Sequence, residues 1–243
     1  MASIFFKEIN AFFSSLIGYI VIGVFLILIG LVMWVFPDSS ILDYNYATLD
    51  QLFYIAPMIF MFLIPAISMR SFAEENQTGT IELLVTRPLR DIEIVLGKYF
   101  AALVLVIFAL IPTGLYYYSV HQLGSPVGNL DTGAIMGSYL GLVFLAAAFV
   151  AIGLFSSAVT QSQISAFILA LFLCFLFYWG FDFFSRLPIF FGKVDDIVQM
   201  IGIDYHYKSI SRGVVESRDV VYFFSVIGFF IALTMTALGM RKW

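Results

Sequence analysis

Charge is what this chain lacks most. Of 243 residues only 12% are Asp, Glu, Lys or Arg, while 62% are apolar and the mean hydropathy is +1.01. Soluble domains run at about 45–50% apolar and about 25% charged, so that class is excluded and the chain reads as membrane-embedded. The 12 basic and 16 acidic side chains, with a pI near 5.0, leave no polybasic surface for nucleic acid or anionic lipid. One cysteine, Cys174, cannot form an intrachain disulfide and reads as a small packing residue. No G-x-x-x-x-G-K-[ST] occurs, so the chain does not itself cradle nucleotide phosphates, and neither H-E-x-x-H nor G-x-S-x-G is present. Asp204 and His206 make only two candidate metal ligands where zinc needs three or four. No catalytic residue and no metal site is assigned.

An ionised side chain at the bilayer centre costs about 2.5–3.5 kcal/mol, and each Leu, Ile, Phe or Val returns about 0.3–0.6, so charge-free gaps mark the spans. They run over Ile9–Pro37, Gln51–Met69, Tyr99–Leu130, Thr132–Phe181 and Val220–Met240. The fourth gap, about 50 residues, would reach about 75 Å as one helix against a hydrocarbon core of about 30 Å. It must fold back, and the polar run Ser156, Ser157, Thr160, Gln161, Ser162, Gln163, Ser165 marks the break. The reading is all-α, a single polytopic domain over 1–243 with six spans near 14–36, 52–69, 99–118, 134–158, 164–181 and 220–240. A transmembrane barrel would need short alternating segments, and Ile20–Val35 does not alternate. The first stretch is too long for a signal-peptide core and is kept as a span. Ionisable groups are expected only at span ends, as for Asp182 and His121, which argues against a proton-coupled carrier or a self-sufficient channel. Pro57, Pro65 and Pro112 predict kinks within spans two and three.

Arg70, Arg87, Arg90 and Lys98 crowd the segment between spans two and three, while 38–50 and 119–133 carry no Lys or Arg. With Lys7, Arg241 and Lys242, the positive-inside rule puts both termini in the cytoplasm. The segment 182–219 disagrees: alternation places it outside, yet it holds five basic residues.

Three segments say more than "span". In the first, Phe5, Ile9, Phe12 and Phe13 recur at helical spacing with Lys7, Glu8 and Asn10 on the other face, which reads as an interfacial helix on the inner leaflet or an extension of span one. In the second, a two-turn helix opening after Gly79 would gather Ile81, Leu84 and Val85 on one side and stop at Pro88. Such a ridge suits a groove on another protein, and it equally suits a solvated loop that touches the membrane. The third, 186–218, reads as small helices on the outer surface, with Asp195–Ile203 the clearest.

The run Pro65, Met69, Arg70, Glu74, Glu75, Gly79, Thr80, Glu82, Leu84, Thr86, Pro88, followed by Gly97 and Lys98, resembles the signature of type-2 ABC transporter permeases. Lys7, Glu8, Phe13, Ser15, Gly18 and Tyr19 resemble that family's interfacial connecting helix; Ala151–Ser157 with Thr160 and Gln161 its fourth span; and Tyr205, His206, Arg212, Gly213 and Val214 with Asp219–Phe223 its outer loop entering span six. The pattern is most similar to gliding-motility-associated permeases. The resemblance implies a bacterial inner-membrane subunit of an exporter, non-catalytic, paired with a second permease copy or paralogue. ATP and Mg2+ would then be bound by separate cytoplasmic ABC ATPase subunits. Glu74, Glu75, Gly79, Thr80, Ile81, Glu82, Leu84, Val85 and Pro88 would form the coupling helix that meets them. The alternative is an anchor or force-transmitting subunit of a secretion or motility complex.

Overall fold

The computed structural model describes residues 1–37, 39–44, 46–80, 90–187 and 195–240, and among these no strand occurs. Five helical stretches are long and apolar enough to cross a membrane: Asp50–Gln77, Asp91–Leu123, Thr132–Val159, Gln163–Ser185 and Ser217–Gly239. The pair Ala2–Phe13 and Gly18–Trp34, bent by 70°, makes a sixth if counted as one span. In chain order we label α1 (Ala2–Phe13), α2 (Leu16–Trp34), α3 (Ile41–Tyr44), α4 (Asp50–Ser68), α5 (Arg70–Gln77), α6 (Asp91–Leu110) and α7 (Gly114–Leu123). The remainder are α8 (Thr132–Val159), α9 (Gln163–Phe175), α10 (Phe181–Ser185), α11 (Asp195–Ile201), α12 (Ile203–Ile210) and α13 (Ser217–Gly239).

The helix containing α4 does not stop at Met69, where the charge-free gap ends. Met69 keeps helical angles (φ −55, ψ −32) and its N–H reaches the Pro65 carbonyl at 2.9 Å, so the chain continues into α5. Charge ends a membrane span, but it does not end a helix. For the same reason α6 begins at Asp91 rather than near Tyr99: Asp91 and Glu93 sit in its first turn, where carboxylates favour the positive end of the helix dipole. Glu93 also accepts the Arg90 N–H at 3.1 Å. Lys98 is thereby carried about two turns inside a helix.

Pro57 and Pro65 lie within the continuous α4, while Pro112 falls in a 3-10 turn, Ile111–Thr113, between α6 and α7. The fold-back in the long apolar gap lies between Val159 and Gln163, where Ser162 caps α9 by accepting the Ser165 N–H at 3.2 Å. A π turn at Leu176–Gly180, unmarked in the sequence, separates α9 from α10.

The spine is α8. It packs against α4, α5, α6, α9, α12 and α13, and its central residues 145–154 are nearly all fully buried. Lipid offers no hydrophobic drive for helices to associate, so close backbone approach and van der Waals contact must hold them, and small residues permit it. Gly153 shows how close: a Cβ there would lie 2.0 Å from the Ser68 hydroxyl of α4. At the far end of the spine Gly213, at φ +85, passes within 2.4 Å of Ala134 Cα measured from where its own Cβ would be.

Candidate functional site

One end of the bundle gathers the charge that the spans exclude. Lys98, 1% exposed, directs its ammonium at Glu8 of α1 (2.8 Å), Glu75 of α5 (2.9 Å) and the carbonyl of Ser71. Three donors meet three acceptors, so the charge is saturated, and the Phe72 ring lies 4.9 Å away. Lys7 of α1 adds a second bond to the same Glu75 oxygen at 2.9 Å and lies 3.6 Å from Glu8. Burial opposes the charge on Lys7, but hydrogen bonding and Coulombic attraction from Glu75 and Glu8 outweigh it and hold its pKa above the usual lysine value. Arg70 forks onto Glu74 at 2.9 and 3.3 Å and reaches the Ser15 hydroxyl at 3.3 Å, just past the end of α1.

The backbone of this end is tied as firmly as the side chains. Phe72 and Ala73 sit in the first turn of α5, just past the turn at Met69 where α4 gives way to it. Both donate to Ser157 of α8 at 2.9 Å, and Ser157 in turn donates to the Met69 carbonyl at 2.9 Å. Asn76 adds a bond to the Thr160 carbonyl at 2.9 Å. One serine on the spine thus caps α5 from outside. Gly97 completes the assembly, since a Cβ there would come within 3.2 Å of Ile4, and α1 could not lie so close on α6.

The residues singled out from the sequence distribute as follows. Phe5, Ile9, Phe12 and Phe13 are partly buried, the last stacked edge-on against Phe108 of α6 at 5.2 Å, while Ile4 is the buried residue of α1. Of Lys7 and Glu8, assigned by spacing to a polar face, Lys7 pairs with Glu75 and Glu8 with Lys98. Glu74 is half-exposed beside Arg70, and Glu75 is buried. Gly79, at φ +69, follows the end of α5 as the left-handed residue of a helix stop. Thr80 is exposed and shares a hydrogen bond with Thr78 at 2.9 Å. Ile81, Glu82, Leu84, Val85 and Pro88 lie outside the described residues.

Two ionisable groups that border the expected spans are buried by protein. Lys98 is one. Asp219, in the first turn of α13, is the other: it is fully buried and binds His206 Nδ1 at 2.7 Å, while His206 Nε2 meets the Met200 carbonyl at 2.9 Å. His206 also stacks on Tyr222 at 3.8 Å. Spacing could not reveal these pairings, because partners such as Glu8 and Lys98 are far apart in sequence. The acids of the first turn of α6 were the one local sign that Lys98 sits inside a helix.

Four segments, α1, α5, α6 and the end of α8, are tied by buried ionic and backbone bonds, and among the described residues no group of three or more His, Cys, Asp or Glu is placed to hold a metal. No curated protein sequence matches the chain. Residues 44–204, more than half of it and including Arg70, Glu75, Lys98 and Ser157, match the description "ABC-2 family transporter protein". This chain belongs to the ABC-2 family of transporter proteins.

Proposed function

We propose that the chain is the permease subunit of an ATP-driven exporter and couples ATP hydrolysis by separate cytoplasmic ABC ATPase subunits to movement of a substrate. The observation that carries this reading is α5, gripped at its start by Ser157 of the spine and at Glu75 by Lys98 and Lys7. A segment so held delivers any force applied just beyond it to α1, α6 and α8 together. The chain beyond it is 79–88, whose Ile81, Leu84 and Val85 form the apolar ridge of the sequence pattern, and this is the proposed ATPase contact, with Glu74 and Glu75 orienting it. In this reading the chain makes six spans, α1 lies along the inner leaflet, α11 and α12 lie outside, and both termini are cytoplasmic. The setting is a bacterial inner membrane. Two permease copies, identical or paralogous, pair above two ATPases that bind ATP and Mg2+, and the similarity to gliding-motility permeases suggests a role in motility or secretion. Leu84→Asp tests the contact. Loss of co-purification with the ATPase, and of its stimulated hydrolysis, is expected; undiminished association overturns the docking.

A further inference from the structure

The last two carbonyls of the short helix α11 are each met by a side chain from another helix. Tyr222 of α13 donates its hydroxyl to the Ile201 carbonyl at 2.6 Å, and His206 Nε2 of α12 lies 2.9 Å from the Met200 carbonyl. The Tyr222 ring also stacks on the imidazole at 3.8 Å. His206 is buried, and its other nitrogen, Nδ1, lies 2.7 Å from Oδ1 of the fully buried Asp219. One imidazole thus bridges α11, α12 and α13.

Proton counting separates its two contacts. A carbonyl and a carboxylate only accept, and neutral imidazole carries one N–H, so a neutral ring beside ionised Asp219 bonds one of them and not both. Both bonds form when the His206–Asp219 pair holds one further proton, whether on the ring or on the carboxyl group. When that proton leaves, the remaining N–H stays with Asp219, because a hydrogen bond to an ionised acceptor is about twice as strong as a neutral one. Asp219 Oδ2 is buried with no partner among the described residues, so the bond at Oδ1 is the costlier one to lose. The Nε2 lone pair then faces the Met200 carbonyl, and that contact becomes repulsive.

The elements packed on α12 are α8, α11, α13 and the π turn. From α13 come Asp219, Tyr222 and Arg218, and Arg218 pairs with Glu216 at 2.8 Å while lying 3.8 Å from Asp219 Oδ1. The π turn brings Tyr178, and α8 brings Tyr139, whose hydroxyl is shared with Thr113. On α12 itself stand Asp204, Tyr205 and Lys208, with Lys208 held by Asp204. Asp195 and Asp196 lie in the first turn of α11, at the opposite end from Met200. Both neighbouring cations have carboxylates of their own, so the proton of the His206–Asp219 pair decides the Met200 bond.

We propose that His206 and Asp219 form a proton-operated latch: with the shared proton the ring fastens the end of α11 to α13, and without it that end is held by Tyr222 and loosens. Gln199 and Gly202, which flank the fastened carbonyls, wall a polar cavity of about 430 Å³ together with Tyr205 and Arg218. Loosening α11 therefore opens this cavity.

The test uses the full chain in lipid nanodiscs, with the buried Cys174 replaced by Ala and spin labels at exposed Ile197 of α11 and Phe229 of α13. Electron–electron distance measurements from about pH 5 to about pH 9 should give a narrow distribution at the acid end. At the alkaline end it should be about twofold broader. Nitrogen-15 shifts of His206, read in a His121→Gln background that leaves one histidine, should titrate over the same interval. Tyr222→Phe should enlarge the alkaline broadening, and His206→Phe, which keeps a ring on Tyr222, should give the broad distribution at every pH. The two titrations use the native ring, so they decide even where a variant fails to fold. An unchanged width across the range, ring shifts that do not move, or a pH response that survives His206→Phe overturns the latch.

Discussion

Replacing Lys98 by Met removes the centre of the ion-pair cluster while keeping most of the side-chain volume. Two carboxylates, Glu8 and Glu75, and the Ser71 carbonyl lose their buried partner at once. Glu75 keeps Lys7, but that ammonium belongs to a side chain 55% exposed, so water screens the compensation. Breaking one side of a buried ion pair costs about 3–5 kcal/mol, because the remaining charge stays desolvated. The loss expected for Lys98→Met lies at the lower end of that range, since Glu8 is 21% exposed at its side chain and can hydrate. Lys7→Met, by contrast, should cost no more than about 1 kcal/mol as an exposed pair. Unfolding in mixed detergent micelles measures both, and the double variant Lys98→Met with Glu75→Gln should recover part of the loss by removing the stranded charge. A Lys98→Met protein within about 0.5 kcal/mol of the parent, or strictly additive effects in the double variant, refutes a saturated buried hub.

Ser157→Ala strands the Phe72 and Ala73 N–H groups and the Met69 carbonyl, and should cost about 1–3 kcal/mol, with amide exchange in 70–77 rising before the rest of the bundle. Gly153→Ala forces a methyl against Ser68 and should cost about 1–3 kcal/mol in thermal unfolding, with partial recovery in the double variant Gly153→Ala, Ser68→Gly. The contribution of Lys7 has a defined pH sense. Its pKa is raised on folding, so its stabilisation is fully present below the ordinary value of 10.5 and fades as pH climbs through the raised one; unfolding midpoints should show a Lys7-dependent fall only in that alkaline window.

The helices were legible from the sequence because the bilayer imposes one rule that charge spacing reports directly. The fold-back at Thr160 is an example: seven polar side chains in ten residues could not stay in hydrocarbon. Charge was a poorer guide to where helices end. Met69 and Tyr99 bound the apolar gaps, yet the helices run on to Gln77 and back to Asp91, since water at a membrane surface tolerates helix as readily as loop. In the sequence Ser157 is one member of the polar run that marks the break. Ser156 and Thr160 do bond back along their own helix, but Ser157 serves another one, a distinction made by the packing of α5 and not by spacing. The burial of Asp219 was equally hidden, since its partner His206 reaches it from a separate short helix.

The saturation of Lys98 bears on how motion would spread. Because its three donors already have acceptors on α1 and α5, sliding α5 along α6 by a single residue breaks at least two charged bonds with no replacement at hand. At the bend between α1 and α2 the described bonds are of another kind: Ser14 and Ser15 make backbone turn bonds, Ser14 donates to the Ala11 carbonyl and Ser15 accepts from Arg70. We therefore hypothesise that α1, α5 and the start of α6 move as one body, with the 70° bend as the yielding joint. Spin labels on Asn10 and Asn76 should report one unchanged distance with and without nucleotide on a bound ATPase, while a pair on Asn10 and Val35 shifts. A change in the first distance as large as in the second would show that the cluster slips, and the hub could not then be the element that carries force out of α5.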